Sequence, residues 1–262
     1  MTSSSEPKGD NMLSTIPTTH QTYLRWATRA DIPTIARILR DNLLDFEFHD
    51  HFCPKRKENP EEFYLFALGR VRMFFVKPCI RFMVAEKLEL SVSGHQRTKI
   101  VGFSTWDAQG KDNPIAKEWR RQDSGWLQAI ERKLIDLELA NYRYLQNTIF
   151  EYDAFQRAWR LLHESYAHIE SLESNLHLQF LMVDPAWHGR HGIGHKLLQW
   201  GLDVADAVGL PVVIESSLMG YPFYLKHGCK LLTHVRIDVV PEKAYDMPIL
   251  VYEPEGKEGV FV

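Results

Sequence analysis

The chain has 262 residues, a formal net charge of −3 at pH 7 and 45% hydrophobic residues. This length and composition are typical of one large globular domain, or of one domain that carries an insertion. The slight negative charge excludes the global basic field that attracts nucleic acid or anionic membranes, so we expect neither as a partner, although a local basic patch is compatible with it.

Cysteine usage and the N-terminal segment indicate the cellular setting. Cys53, Cys79 and Cys229 are odd in number, widely separated and without C-x-x-C spacing, so we expect no disulfide framework and no metal site. A reducing, cytoplasmic location is the resulting prediction. The polar segment 1–20 lacks the apolar stretch of a signal peptide and is expected to be a disordered tail. The apolar run over 63–76 is too short and too charged to span a bilayer.

The first predicted elements are one strand and two helices. Residues 23–26 read as a short strand, and Thr28 or Asp31 can cap the helix that follows. A second helix is indicated by Asn59-Pro60-Glu61-Glu62, where a cap, a first-turn proline and two acids favour a helix start. This helix is expected to end near Lys77.

The next predicted elements are a hairpin and a helical insertion. The β-rich runs 80–87 and 99–106 flank the turn-like segment 91–94, which predicts an antiparallel hairpin and hence a β-α-α-β-β opening. From 107 to about 175 the pattern becomes helical and charged. We interpret this stretch as a helical insertion within a single domain over 21–255.

A parallel β-α-β unit is predicted next. The apolar run 176–183 is expected to be a buried strand, 192–208 a helix with one apolar side, and 211–215 the following strand. Such units have right-handed connections. A short helix, two further strands and a C-terminal tail are predicted near 221–227, 231–239, 248–252 and 256–262.

A glycine-rich loop lies between that strand and helix. It consists of Gly189, Arg190, His191, Gly192, Ile193 and Gly194. A helix start exposes unpaired N–H groups and the positive end of the helix dipole, and glycine lets a phosphate approach the main chain. Arg190 and Lys196 add positive charge. The glycines could instead only relieve strain in a tight turn, so the loop alone leaves both interpretations open.

The surroundings of the loop resemble the GNAT superfamily of N-acetyltransferases. In that family a strand ending in a V-x-P-like turn, here Val183-Asp184-Pro185, precedes Q/R-x-x-G-x-G/A. A Y-x-x-x-G-F segment follows the next strand, and here Tyr221 to Cys229 occupy its place. Two positions depart from the pattern, since Gly189 stands where Gln or Arg is usual and Cys229 where Phe is usual. The motifs cover about 176–229, and the chain's opening fits the family as architecture.

The resemblance implies a mixed α/β fold in which a centrally splayed β-sheet is flanked by helices. It also implies acetyl-CoA as co-substrate, with the pyrophosphate on the amides of the glycine loop. The pantetheine arm would follow the backbone of Leu181, Met182 and Val183. The implied reaction is attack of a neutral amine on the thioester, through a tetrahedral oxyanion, accelerated largely by placing the two reactants together.

The resemblance also suggests groups that move protons. Tyr224 matches the family tyrosine that donates a proton to the departing thiolate, with Tyr221 in reserve; the alternative is that Tyr224 is a core residue. Glu215, His177 and Asp184 stand near the splayed strands as candidate bases, and Glu215 is preferred. A chain of water molecules is the alternative to all three.

Three hypotheses follow from these features. The first is an N-acetyltransferase acting on a primary amine of a small molecule or protein. The second is a catalytically inactive acyl-CoA-binding sensor or partner module of the same fold. A dinucleotide-binding oxidoreductase is disfavoured, because the loop lies late in the chain and lacks the full G-x-G-x-x-G pattern. The acceptor, the acyl-chain length and the oligomeric state are not readable from the sequence.

Overall fold

A computed structural model describes residues 21–90, 96–189, 191–238 and 244–261. The predicted N-terminal tail, the predicted turn at 91–94 and Arg190 lie outside the described residues. The strands are β1 Thr22–Trp26, β2 Ile80–Leu90, β3 Gln96–Gln109, β4 Asn175–Val183, β5 Val212–Glu215, β6 Lys230–Ile237 and β7 Tyr245–Tyr252. The helices are α1 Ile32–Leu43, α2 Pro60–Phe75, α3 Pro114–Gln122, α4 Trp126–Asn141, α5 Tyr152–Ala167, α6 Ile193–Val208 and α7 Tyr221–Lys226.

All seven described strands join one sheet in the order β1-β2-β3-β4-β5-β7-β6. The β4–β5 pair is parallel and its strands are connected through α6, whereas the other neighbouring strands are antiparallel. The predicted β-α-α-β-β opening, the β2–β3 hairpin and the parallel β-α-β unit are therefore confirmed. Parallel neighbours need such a crossover, because a tight turn can join only antiparallel strands.

Helices cover both faces of the sheet. On one face α6 packs over β3, β4 and β5, around a cluster that includes Trp106, Leu178 and Ile214. On the other face α1, α2 and α5 enclose a larger cluster that includes Phe103 and Val213. Alternate residues of a strand point to opposite faces, so each central strand contributes to both clusters.

The predicted cap residues lie at the helix starts, but their side chains do not cap α1 or α2. Asp31 is the N-cap residue of α1, and Thr28, which precedes the 3-10 turn Arg29–Asp31, donates from its N–H and its hydroxyl to Asp31. Asn59 is the N-cap residue of α2, and its amide donates to the carbonyl of Lys55. Pro60 still opens α2, as predicted, since a first-turn residue needs no N–H partner.

The stretch between β3 and β4 is helical, as predicted, and contains α3, α4, a π-helical turn at Tyr142–Gln146 and α5. Helix α5 buries Ala158, Leu162 and Tyr166 against the sheet. Several apolar side chains of α4 are exposed, including Trp126 at 71% and Leu137 at 69%. The stretch leaves and re-enters the sheet at one place, because Gln109 of β3 and Asn175 of β4 are register partners.

Candidate active site

Strands β4 and β5 separate after a short region of pairing. They are joined at Leu176 with Val212, His177 with Val213, and Leu178 with Ile214. Thr105 of β3 pairs with Phe180, while Trp106 pairs with Leu178, so Gln179 is an unpaired extra residue of β4. Such a β-bulge bends its strand and strengthens the local twist. The bulge thus lies directly after the last β4–β5 pair, and beyond it β4 continues without a β5 partner; we call this unpaired region the β4–β5 opening.

The predicted pantetheine-binding residues lie on the separated part of β4. Leu181 and Val183 pack toward α6, whereas Phe180 and Met182 pack toward α1, α2 and α5. Leu181, Met182 and Val183 all follow the last β4–β5 pair, so a backbone edge is left unmatched by β5 there. The carbonyl oxygen of Val183, in contrast, already accepts hydrogen bonds from side chains of the protein.

Two side chains hold that carbonyl. The amide of Asn42 in α1 donates to Val183 O at 2.9 Å, and His188 Nε2 lies 2.8 Å from the same oxygen. Because a carbonyl only accepts, His188 carries a proton on Nε2. These bonds fix the end of β4 and the start of the loop relative to α1. Because Asp184 N donates to Val101 O of β3 and backbone groups alternate in direction along a strand, those of Met182 face β3, and those of Leu181 face the side that β5 leaves open.

The loop before α6 has an unusual backbone. The φ angles are +67° at Gly189, +60° at His191 and +62° at Gly192. Glycine adopts this left-handed region without steric cost, but for His191 it costs about 1–2 kcal/mol. Strain of this kind persists where the surrounding structure enforces it, and it often marks a ligand-binding segment.

Helix α6 begins with unpaired amides. Gly192 is the N-cap residue and no side chain caps the helix. The first helical bond runs from Lys196 N to Gly192 O, so the N–H groups of Ile193, Gly194 and His195 precede it. A Cβ atom built on Gly189 or Gly192 would meet nothing within 4 Å. Open space therefore lies against these two residues, which fits the approach of a pyrophosphate to a helix N-terminus.

Side-chain cations contribute less to this loop than the sequence suggested. Lys196 Nζ lies 3.4 Å from the carbonyl of Thr22 in β1 and so points toward β1. His195 Nδ1 lies 2.8 Å from His227 Nε2, which ties the first turn of α6 to the end of α7. Arg190 is outside the described residues. The described part of the loop offers an anion chiefly backbone N–H groups and the helix dipole.

Tyr224 lies beside the first turns of α6. It is 8% exposed and packs in the cluster on the α6 face, with Phe223 between it and Gly194. Burial and the nearby Cys229 raise the pKa of its phenol above the usual range. We find no hydrogen bond from this hydroxyl to another described residue. Tyr224 therefore keeps its proton at neutral pH and has a donor without a protein acceptor.

Glu215 ends β5 at the mouth of the opening, on the α5 side. Its carboxylate accepts a hydrogen bond from Tyr166 Oη at 3.0 Å and lies 3.6 Å from His177 Nε2. The structure thus brings together two of the three predicted base candidates, Glu215 and His177. The third, Asp184, is elsewhere, because it bonds Arg37 at 2.7 Å and accepts from Ala186 N.

The pair of Glu215 and His177 is enclosed, with side chains 8% and 2% exposed. Burial alone would lower the pKa of His177, but the Glu215 carboxylate raises it above 6.5. Burial would raise the pKa of Glu215, but His177 and the Tyr166 hydrogen bond hold it below 4.5. Opposite charges in a low-dielectric site favour each other's charged form.

Tyr166 was not among the candidates from the sequence. It lies on the buried face of α5, four residues after Leu162 and eight after Ala158. That spacing indicates a core position. Only the packing of the insertion across β5 places its hydroxyl against Glu215, and no local pattern in the sequence records this contact.

Neither a metal cluster nor a membrane span is found in the described part of the chain. Its His, Cys, Asp and Glu side chains form no group of three or more that could hold a metal ion. No described helix combines the length and the apolar character needed to cross a membrane. Cys53, Cys79 and Cys229 are all free and buried.

Comparisons with known proteins identify the fold. No protein-family model matches the chain. It is 35% identical over 77 residues to the "Probable acyltransferase SID5" of Ajellomyces capsulatus, which covers 26% of this chain and 52% of that protein. The match thus spans about half the length of this relative.

Solved structures match over most of the chain. The "histone acetyltransferase HPA2 and related acetyltransferase" from Corynebacterium glutamicum has a TM-score of 0.54 and 17% identity, over 89% of this chain and 96% of that one. A GCN5-related N-acetyltransferase from Rhodopseudomonas palustris has a TM-score of 0.45 and 14% identity, over 88% and 94%. The likeness to the first of these structures shows that the chain has the GNAT acetyltransferase fold, as the loop and its flanking motifs predicted.

Proposed function

We propose that this protein is an N-acetyltransferase that uses acetyl-CoA to acetylate a primary amine. The observation that carries the proposal is the occurrence of three features together in α6 and the elements that pack around it. These are the β4–β5 opening, the uncapped helix start with open space at Gly189 and Gly192, and the buried hydroxyl of Tyr224. An elongated ligand with an anionic end and a reactive end fits these three features.

The glycine loop and β4 would hold the co-substrate. The amides of Ile193, Gly194 and His195 provide donors for pyrophosphate oxygens, and the backbone of Leu181, on the edge of β4 that has no β5 partner, provides hydrogen-bond partners for an amide-containing arm. Acetyl-CoA supplies an activated carbonyl carbon when bound. The chain then needs mainly to bring that carbon and the amine together, which by itself can account for a large part of the acceleration.

Two side chains on opposite faces of the opening would handle protons. Tyr224, on the α6 side, would donate its proton to the leaving sulfur. Glu215, on the α5 side, would attract the ammonium form of the acceptor and receive its proton. Because its pKa is held below 4.5, Glu215 is a weak base and would contribute more by orienting the amine than by proton affinity.

The test is a pair of measurements on the full chain. Isothermal titration calorimetry with acetyl-CoA, and with NAD as a control ligand, asks whether the site binds the proposed co-substrate. Incubation with acetyl-CoA and a panel of amines, with CoA release followed by a thiol reagent, asks for turnover. We expect acetyl-CoA binding and amine-dependent release. Binding without release for every amine would favour the inactive module, and preferential NAD binding would overturn the proposal.

A further inference from the structure

Arg70 of α2 lies against β4 just after the bulge. Its guanidinium carbon is 5.6 Å from the ring centroid of Phe180, the first residue of β4 after the bulge. Phe180 packs in the cluster on the face opposite α6, and Glu215 accepts a hydrogen bond from Tyr166 of the same cluster. Arg70 and Glu215 therefore stand on the same face of the sheet, and the Glu215 charge favours the charged form of Arg70.

Aromatic rings surround this guanidinium. Besides Phe180, its central carbon lies 5.1 Å from the ring of Phe74, 4.7 Å from Phe155 and 5.1 Å from Trp159. A cation over aromatic faces is stabilised electrostatically, and the planar guanidinium stacks well on rings. Phe155 and Trp159 come from α5, so the insertion completes this aromatic site.

Arg70 has no carboxylate partner among the described residues. Its five N–H donors make no hydrogen bond or ion pair there, whereas Arg72 of the same helix binds both oxygens of Glu138 at 2.6 and 2.8 Å. The Arg70 side chain is only partly buried, so it remains in contact with solvent. Burial lowers the pKa of Arg70 to about 10, so the group is still charged at neutral pH.

A partly buried cation with accessible, unmatched donors suits a planar anion. A carboxylate accepts two parallel N–H bonds from one guanidinium, and such bonds are among the strongest in proteins. Glu215 does not fill this role, since its oxygens face Tyr166 and His177. The rings around Arg70 would pack along the carbon chain of a ligand that joins the two charged ends.

From this juxtaposition we infer that Arg70 is a specificity-determining residue that binds the carboxylate of an amino-acid-like acceptor, whose amine lies toward Glu215. The inference rests on the proposed function and deepens it by naming the acceptor class. Arg70 would position the substrate and take no part in proton transfer. The wild-type protein should therefore prefer amines that carry a carboxylate over amines of the same length without one.

The experiment compares ω-amino acids of increasing chain length, and lysine and ornithine, with the matching alkylamines and diamines. Acetylation is measured for the wild-type protein, Arg70→Gln and the surface control Arg72→Gln. For the best amino acid we expect Arg70→Gln to raise KM by about 10- to 100-fold, as for a lost charge-assisted bond. Its KM for the matching alkylamine and its acetyl-CoA affinity should stay within about twofold of wild type.

Circular dichroism and thermal melting establish that each variant folds. Should Arg70→Gln not fold, Arg70→Lys takes its place, and we expect a smaller loss of preference because Lys keeps the charge without the paired donors. Equal use of amino acids and alkylamines, or a preference that Arg70→Gln leaves unchanged, would overturn the inference while the acetyltransferase proposal stands.

Failure of the proposed function has a different signature. In that case acetyl-CoA does not bind, and calorimetry of the amino acids with the protein alone then decides the role of Arg70. Binding that is lost in Arg70→Gln and kept in Arg72→Gln supports a carboxylate site. No binding, or binding that is equal in both variants, overturns it.

Discussion

Burial of Tyr224 bears on its proposed role as a proton donor. Its hydroxyl keeps its proton because burial raises its pKa, and it has no acceptor among the described residues. We predict that Tyr224→Phe lowers kcat for acetyl transfer by about 100-fold, at the lower end of what general acids contribute, since a thiolate leaves readily. Acetyl-CoA affinity should be unchanged.

Steady-state kinetics and calorimetry check this prediction. Tyr221→Phe is the matched control, because Tyr221 lies one helical turn away and was the reserve candidate. A kcat for Tyr224→Phe within twofold of the wild-type value would exclude Tyr224 as the proton donor.

Gly192 in the loop and Gly256 in the C-terminal segment allow the cost of backbone strain to be separated from the blocking of a ligand by an added methyl group. Gly192 has φ +62° and Gly256, in the C-terminal segment, has φ +76°; a Cβ atom at either would meet nothing within 4 Å. Alanine should therefore cost each site about 1–2 kcal/mol of folding free energy from the left-handed backbone. We predict that only Gly192→Ala also weakens acetyl-CoA binding, by about tenfold or more, because its methyl group would enter the proposed phosphate space.

Urea denaturation and calorimetry separate the two effects. Equal acetyl-CoA affinity in Gly192→Ala and Gly256→Ala would show that the space at Gly192 is not where the ligand binds.

The buried pair of His177 and Glu215 predicts a pH dependence of stability. Because the pKa of His177 is raised on folding, its charged form stabilises the folded protein. This contribution is fully present below the unfolded-state pKa of about 6.5 and is lost as the pH rises through the folded-state pKa. Because the pKa of Glu215 is lowered on folding, its carboxylate also stabilises the folded protein. This contribution is fully present above the unfolded-state pKa of about 4.5 and is lost as the pH falls through the folded-state pKa. Both contributions are complete between these two values.

We therefore expect the difference in melting temperature between the wild-type protein and Glu215→Gln to be largest between pH 4.5 and 6.5 and to shrink as the pH rises through the folded pKa of His177. Thermal melts across this range check it. Glu118→Gln is the control, because Glu118 pairs with Arg121 on the surface, where ion pairs contribute little. A difference for Glu215→Gln that does not vary with pH would mean that the pair does not ionise together.

At the scale of elements, the position of α6 depends on close contact with the sheet. A Cβ atom at Gly201 would lie 2.0 Å from the ring of Trp106, whereas one at Gly194 would lie 3.7 Å from Phe223, an ordinary contact. We predict that Gly201→Ala destabilises the fold by about 1–3 kcal/mol through overpacking. Gly194→Ala should be neutral or slightly stabilising, because alanine is the better helix former.

Denaturant midpoints measure both variants. Destabilisation of equal size in the two would contradict the packing argument, since the helix propensity change is the same.

The sequence predicted elements better than their junctions. The strand-helix-strand order around the loop followed from apolar periodicity, and the structure confirms it. The bulge at Gln179 was not predicted, because nothing in a single strand's pattern shows where its partner skips a residue. Asn59 is the N-cap residue of α2, as predicted, but its side chain makes no capping hydrogen bond.

At the scale of the whole molecule, the two proposed halves of the site differ in how far the sequence predicts them. The loop and Tyr224 lie within one continuous stretch, so motif order could suggest their roles. The other half combines Arg70, Tyr166 and Glu215, which come from α2, α5 and β5. Their proximity depends on how distant segments pack, and such long-range contacts leave no local signal.

The insertion between β3 and β4 begins and ends at neighbouring positions of the sheet, and this affects how its sequence can change in evolution. Because Gln109 and Asn175 are register partners, the chain leaves the sheet and returns to it at the same rung. The exposed parts of this stretch, such as the outer face of α4, can change without shifting β3 against β4, whereas the buried face of α5 belongs to the core. If Phe155 and Trp159 form the acceptor side of the site, sequence changes confined to the stretch between Gln109 and Asn175 would alter which amine is acetylated. The residues proposed to bind the acyl donor would stay the same.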